Sequence, residues 1–411
     1  MNVIFYIYLF SGILKGIMKF YGIHLPIDLT ALTGTFLVID IIYNLLIKAI
    51  SGSPFHKSVL YPLIMLLAFT GWMAFTLAYT PSESYSKAKL FYFSTNIVAF
   101  AYPLFHVKIN ISKMLRYFVL GFAIITLWYV PILIHYINTP ELHALQRYNS
   151  VFNLYLVIGL YSGFSVILLA TRPKLFKHAL FRAFLLIFFL ISLFLSGARA
   201  SIIITLLLLL VILFERAFVF FVNAGKMNQS KMVMNGFLTL FIITGILVAS
   251  VLFSGKINSL ASRSVKRFDI LVNSINISNA ENKRFEQLEF SLNKINESVS
   301  SVVHGYGIGS FGIMESGKDE RAYPHNFMLE IQFETGLIGL ILFILFIISV
   351  FICSRHGLSI LPGFIFIYFF LNYLKSWSII DMRICFGFFG LFILQSLPAY
   401  KKYFNELKKS E

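Results

Sequence analysis

The sequence predicts an all-α polytopic membrane protein of about twelve transmembrane helices, and three observations predict it. Of 411 residues, 58% are hydrophobic and only 13% charged, where an ordinary soluble domain carries about 25% charged residues. The apolar residues gather into twelve windows, each near the roughly 20 residues that cross about 30 Å of hydrocarbon. The basic residues of the short connections are divided unequally between alternate sides. This pattern excludes a soluble globular enzyme and leaves little chain for a separate soluble domain.

The windows run 2–21, 26–47, 59–80, 88–107, 115–137, 151–170, 179–195, 201–222, 233–254, 327–352, 358–376 and 383–399. The first starts almost at Met1, has no basic residue before Lys15 and no small-residue cleavage site after it, so it is expected to be a retained span, not a removed signal peptide. Residues 1–254 thus carry nine spans, residues 255–326 one long loop, and residues 327–399 three more spans. The tail from 400 to 411 is a solvated basic anchor at the membrane face. Neither an internal repeat nor a low-complexity segment is present. Cys353 at the end of the tenth window and Cys385 in the twelfth have no partner nearby in sequence, so no disulfide framework or zinc cluster is expected.

An even number of spans puts both ends on one side. Seventeen Lys and Arg lie on the side of the termini and eight on the other, once the nine in the long loop are set apart. By the positive-inside rule both termini are cytoplasmic, and the long loop and the break at 196–201 face outward. The net charge of +16 is scattered in short clusters, so it reads as topology and contact with the bilayer, with no nucleic-acid partner.

Function is therefore sought in the outward segments. Phe285, Leu288, Leu292, Ile295 and Val299 recur at spacings of three and four, the mark of an amphipathic helix that lies on the membrane or on the bundle. Ser278 with Glu281 matches a capping box for its start. Arg284, one position off the stripe, is expected to flank the buried face. The run HGYGIGSFG then brings glycines that let the chain approach a ligand or helix closely, but it follows a helix, so a dinucleotide fingerprint is discarded.

The loop ends in Tyr323-Pro324-His325-Asn326, which sets His325 at the start of the tenth window. Its imidazole suits a general base, although a lone histidine there equally serves as a structural hydrogen-bonding residue. Arg199 stands in SGARAS, a polar break whose small residues permit close helix approach. Its guanidinium suits phosphate, or else snorkels to lipid headgroups. Glu330 and Glu334, Lys15 and Lys19, and Asp28, Asp40 and Asp381 are charges in or beside apolar windows, for which mutual pairing is one explanation. Glu330 is a second candidate base or an orienting group. No carboxylate spacing supports a metal site, and no cofactor is expected.

SGARAS, the loop with Lys283-Arg284-Phe285 and GYGIGSFG, and YPHNFMLEIQFETGLIGL together resemble the bacterial O-antigen polymerase and O-antigen ligase superfamily. The resemblance covers residues 180–350 directly, and its most specific part is His-Asn followed by an apolar helix carrying E-x-G-x-x-G. It implies a GT-C-like fold and a metal-independent, inverting glycosyltransferase of the bacterial inner membrane, working on the periplasmic side. The donor would be an undecaprenyl pyrophosphate-linked glycan, the acceptor a second lipid-linked glycan or lipid A core, and a chain-length regulator would be a further partner. Carried onto this chain, Arg199 and Arg284 would hold the pyrophosphate and His325 would deprotonate the attacking hydroxyl. Ligases often carry a second histidine two residues before the His-Asn pair. Here that position is Tyr323, which favours polymerase, with ligase the alternative and a lipid-linked oligosaccharide flippase a weaker one.

Overall fold

The computed structural model describes residues 2–51, 56–106, 109–138, 154–196, 198–223, 279–354, 361–398 and 400. Among these, every regular element is helical. The helices are α1 (Asn2–Phe20), α2 (Leu29–Ile50), α3 (Lys57–Phe75), α4 (Tyr85–Phe105), α5 (Ile111–Asn138), α6 (Leu154–Thr171), α7 (Ala179–Ser196) and α8 (Arg199–Asn223). They continue with α9 (Asn279–Ile295), α10 (Val299–His304), α11 (Ser310–Ser316), α12 (Phe327–Ser354), α13 (Leu361–Ser376) and α14 (Arg383–Ser396). Five of the described helices are long and apolar enough to cross a membrane: Leu29–Ile50, Lys57–Ala78, Ile111–Val130, Ala179–Ser196 and Phe327–Ser354. The chain is thus a helical protein embedded in a membrane. A helix lies at each of the twelve windows except 233–254, which falls outside the described residues, as do Ser278, most of 255–278 and the tail beyond Tyr400.

The chain divides into two units. The first takes Met1–Lys15, Ile23–Met114 and Ser278–Glu411, the second Gly16–Gly22 and Leu115–Ile277. In the first, α4 packs along α14 and α3 along α12. Phenylalanine, the commonest aromatic of the chain at 46 residues, builds the core between them. Phe69 meets Phe93 at 5.6 Å and Phe343 at 5.4 Å, and Phe386 meets Phe93 at 5.9 Å and Phe346 at 5.4 Å. Most of these are edge-to-face contacts, the arrangement that ring quadrupoles favour. In the second unit α6 packs on α7 and α8, with Phe118, Phe122, Tyr161 and Phe164 in contact at its centre.

Local chemistry fixes where the helices of the first unit begin and break. Asp28 caps α2, accepting from the Thr30 and Ala31 amides at 2.8 and 3.0 Å. Asn326 does the same for α12, accepting from Met328 and Leu329 at 3.0 and 3.1 Å. The start of α4 is capped from far along the chain. Asp319 accepts from the Ser82 hydroxyl at 2.6 Å, the Ser84 amide at 2.8 Å and its hydroxyl at 2.9 Å, and the Glu83 amide at 3.1 Å. Burial pushes this carboxyl up, but the hydrogen bonds outweigh it and hold Asp319 down to about 2.

Helix α12 is interrupted at Gly336, which takes φ 65° and ψ −170°. A break leaves backbone carbonyls without their helical donors, and each here is recovered. Tyr306 N donates to Phe333 O at 2.9 Å, Gly307 N to Glu334 O at 2.8 Å, and Trp72 Nε1 to Thr335 O at 2.8 Å. The glycine run of 305–309 thus docks onto a broken helix. A Cβ at Gly305 would stand 2.6 Å from Gly336 N, and one at Gly336 2.2 Å from Val303 O, so both positions exclude a side chain. Helix α3 and its following turn hold the other side of the run through Tyr79 to His304 O (2.7 Å), Thr80 to Ile308 O (2.8 Å) and Ile308 N to Thr76 (3.0 Å).

Candidate functional site

Within the first unit, the segment from 279 to 326 packs on α12 around a small core of Ile295 and Phe311 with Leu329 and Phe333 of that helix. The face of α9 turned to that core differs from the expected stripe. Gln287, Ser291 and Ile295 are buried, whereas Phe285, Leu288 and Leu292 are exposed, as is Val299 in α10. At about 100° per residue the buried face is rotated by about a quarter turn from the apolar one. Burying two polar residues is possible because each is satisfied: Gln287 donates to Glu315 at 2.7 Å and Ser291 to Gln287 O at 2.6 Å. Of the expected apolar stripe, only Ile295 is thus buried in the core. Arg284, expected to flank the buried face, is instead exposed beside Phe285.

His325 precedes the cap of α12 and is half-buried. Among the described residues it is the only non-glycine with a positive φ, at 55°. An L residue in the left-handed region costs about 1–2 kcal/mol. Its ring lies 4.7 Å from that of Tyr323. Arg321 also neighbours Tyr323, with its guanidinium carbon 5.7 Å from the ring centroid. Nη2 of Arg321 donates to both oxygens of Asp381 at 2.9 and 2.7 Å. Asp381 holds this arginine well above the ordinary range, so it stays charged. Burial lifts the Asp381 carboxyl while Arg321 pulls it down. Burial also pushes the Tyr323 hydroxyl up to about 12, with Asp381 and Glu330 adding to the rise and Arg321 and Arg284 opposing it. The charge of Arg284 is thus felt at the tyrosine that His325 packs against.

Beneath this layer lies a buried ion cluster. Lys89 of α4 donates to both Glu330 and Glu334 of α12, the latter at 2.7 Å, and all three side chains are at most 3% exposed. Ser378 Oγ and the Ile379 amide complete the Glu330 carboxylate at 2.6 and 2.9 Å. Donors thus occupy both oxygens of Glu330, Lys89 and Ser378 on one and the Ile379 amide on the other. Of the other apolar-window charges, Lys15 pairs with Asp28 at 2.6 Å and Asp40 with His106 at 3.1 Å. Pairing thus accounts for Lys15, Asp28, Asp40, Glu330, Glu334 and Asp381, with Lys89 and Arg321 among the partners, whereas Lys19 is exposed. In the sequence Lys89 is one of the eight basic residues on the outward side, and Arg321 stands four residues before His325.

Arg199 belongs to the second unit, so neither unit alone contains Arg199, Arg284 and His325. It opens α8 and is half-buried. The preceding turn is held by Ser196, whose hydroxyl donates to Leu193 O at 2.6 Å and accepts from Ala198 N at 3.2 Å. Gly159 of α6 lies so near that a Cβ there would stand 2.3 Å from that of Ala198. The close approach expected of SGARAS is therefore made within this unit.

Fold and site together define a helical membrane protein that presents a histidine, tyrosine and arginine layer over a buried lysine and glutamate cluster. No protein-family profile matches the chain, and no curated protein matches it either.

Proposed function

We propose that the chain is an O-antigen polymerase: a metal-independent, inverting glycosyltransferase with a GT-C-like fold of about twelve spans. It would extend undecaprenyl pyrophosphate-linked repeat units on the periplasmic face of a bacterial inner membrane. The observation that carries the reading is His325, held in a strained backbone conformation at a helix start, beside a tyrosine that feels Arg321 and Arg284. Strained residues persist where surrounding structure over-determines them, and they gather at functional sites.

In this reading His325 takes the proton from an acceptor hydroxyl as its oxygen attacks the anomeric carbon. The bond from that carbon to the diphosphate breaks, and its electron pair leaves on the diphosphate. Arg199 and Arg284 neutralise the charge that develops there. Glu330 orients the start of α12 through Ser378 and Ile379.

The test is the lipopolysaccharide ladder of a deletion strain complemented with wild type and with His325→Ala. A core capped by one repeat unit in the deletion, unrelieved by His325→Ala, is the expected result. Bare core with lipid-linked polymer accumulating would replace polymerase by ligase. A full ladder with His325→Ala would remove the base. Arg199→Lys should be poorly tolerated, because an ammonium cannot reproduce the bidentate guanidinium fork. Normal ladders from it would reduce Arg199 to a point charge.

A further inference from the structure

Around Tyr323 the structure holds more recognition chemistry than a base and a diphosphate clamp need. Arg321 and Asp381 form an ion pair that is only partly exposed on the acid, 21%, and half exposed on the arginine, 48%. Among the described residues the contacts of this guanidinium are made through Nη2, which leaves Nε and Nη1 as donors. The pair is formally neutral, so it is poorly suited to hold an anion, and its residual donors and acceptors match a neutral, hydroxyl-rich ligand.

Two aromatic groups stand with it. The Tyr323 ring neighbours both Arg321, 5.7 Å from its centroid, and His325, 4.7 Å from it, so those two groups are at most about 10 Å apart. That is the scale of one or two sugar rings. Tyr85, at the start of α4, is 8% exposed, and its hydroxyl has no hydrogen-bond partner. The Lys89 ammonium lies 5.9 Å from the centroid of its ring. A phenol left without a partner among charges is a donor and acceptor reserved for something else. Asp381 is fixed by the same turn that binds Glu330, so the pair is anchored to the buried cluster and not to a loose loop.

We infer that Arg321, Asp381, Tyr323 and Tyr85 form a saccharide subsite that holds the acceptor glycan with its hydroxyl at His325. This deepens the polymerase reading and rests on it. Arg321 and Asp381 bridge sugar hydroxyls, Tyr323 offers an apolar ring face, and Tyr85 closes the inner edge.

The experiment uses the full chain in detergent and, as probe, the free oligosaccharide released by mild acid from the cell's lipid-linked repeat units. Saturation-transfer NMR measures its binding to wild type, His325→Ala, Arg321→Ala, Asp381→Asn and Tyr323→Leu. Wild type should bind, and His325→Ala, which touches only the reacting hydroxyl, should lose less binding than either Arg321→Ala or Tyr323→Leu. Arg321→Ala and Tyr323→Leu should weaken binding by about tenfold or more, and in turnover assays raise KM for the acceptor more than they lower kcat. Should Arg321→Ala fail to fold, Tyr323→Leu carries the same prediction. Binding unchanged in both variants would overturn the subsite, even with His325→Ala inactive and the polymerase reading intact. A wild type that binds no oligosaccharide, together with a full ladder from His325→Ala, would bring down both.

Discussion

Replacing His325 separates catalysis from stability more sharply than any other change in this chain. With φ at 55° the residue sits where an L side chain costs about 1–2 kcal/mol. His325→Gly removes that strain but loses about 0.5–1 kcal/mol through the greater freedom of the unfolded chain. It also gives up the contact with the Tyr323 ring 4.7 Å away, worth about 0.5–1.5 kcal/mol. These terms nearly cancel, so stability should stay within about 1 kcal/mol of wild type. His325→Asn, a residue that tolerates the left-handed region, should do the same. Activity should fall by about 10²–10⁴, the usual contribution of a positioned base. Purified variants in detergent would be melted by intrinsic fluorescence and assayed for polymer formation from lipid-linked repeat units. Near-wild-type activity in either variant, or a large loss of stability in His325→Gly, would refute the reasoning by showing that the imidazole is structural.

Three other outcomes follow from the geometry. Asp319 titrates near about 2 when folded, against 3.8 for the ordinary group, so its contribution is complete above about pH 4 and is lost as pH falls towards 2. After allowance for solvent screening it amounts to about 1 kcal/mol, and Asp319→Asn should speed hydrogen exchange at the 83–86 amides at neutral pH; unchanged exchange would discount the long-range cap. Gly336→Ala forces a Cβ to 2.2 Å from Val303 O at a positive φ, and should lower the melting temperature markedly while Gly71→Ala, with open space around it, should not. Lys89→Met leaves two buried carboxylates unpaired and should cost about 3–5 kcal/mol, read as lost monodisperse protein in size-exclusion chromatography; adding Glu330→Gln and Glu334→Gln should restore much of it, and no recovery would show that the cluster is not held by charge.

The helices were legible because their signal is long. A window of about 20 apolar residues leaves few alternatives in lipid, and described helices lie at all the windows but the ninth. Pairing among buried charges was legible for the same reason, since an unpaired charge there is costly. What the sequence hid was direction. The spacing of Phe285, Leu288 and Leu292 is helical, but periodicity is blind to which stripe is covered, and here Gln287 and Ser291 go inside because their hydrogen bonds are internally supplied. The same rotation exposes Arg284. The glycines of GYGIG had a visible need for close approach, yet their partner is a break at Gly336 that hydropathy reads as a continuous span. Lys89 was masked by its usefulness in counting sides, and only a contact 241 residues along the chain reveals its acids.

That sequence distance sets a timetable. Lys89 is made 241 residues before Glu330 and 245 before Glu334. At roughly 5–20 residues per second, α4 waits about 10–50 s for the acids of α12. During that interval its ammonium must stay near water, reached by its long stem, because a lysine deep in an inserted helix costs about 2.5–3.5 kcal/mol. Lys89 can therefore move inward onto its acids only once α12 has been made. A chain ending before residue 330 would lack both acids and leave Lys89 without its buried partners.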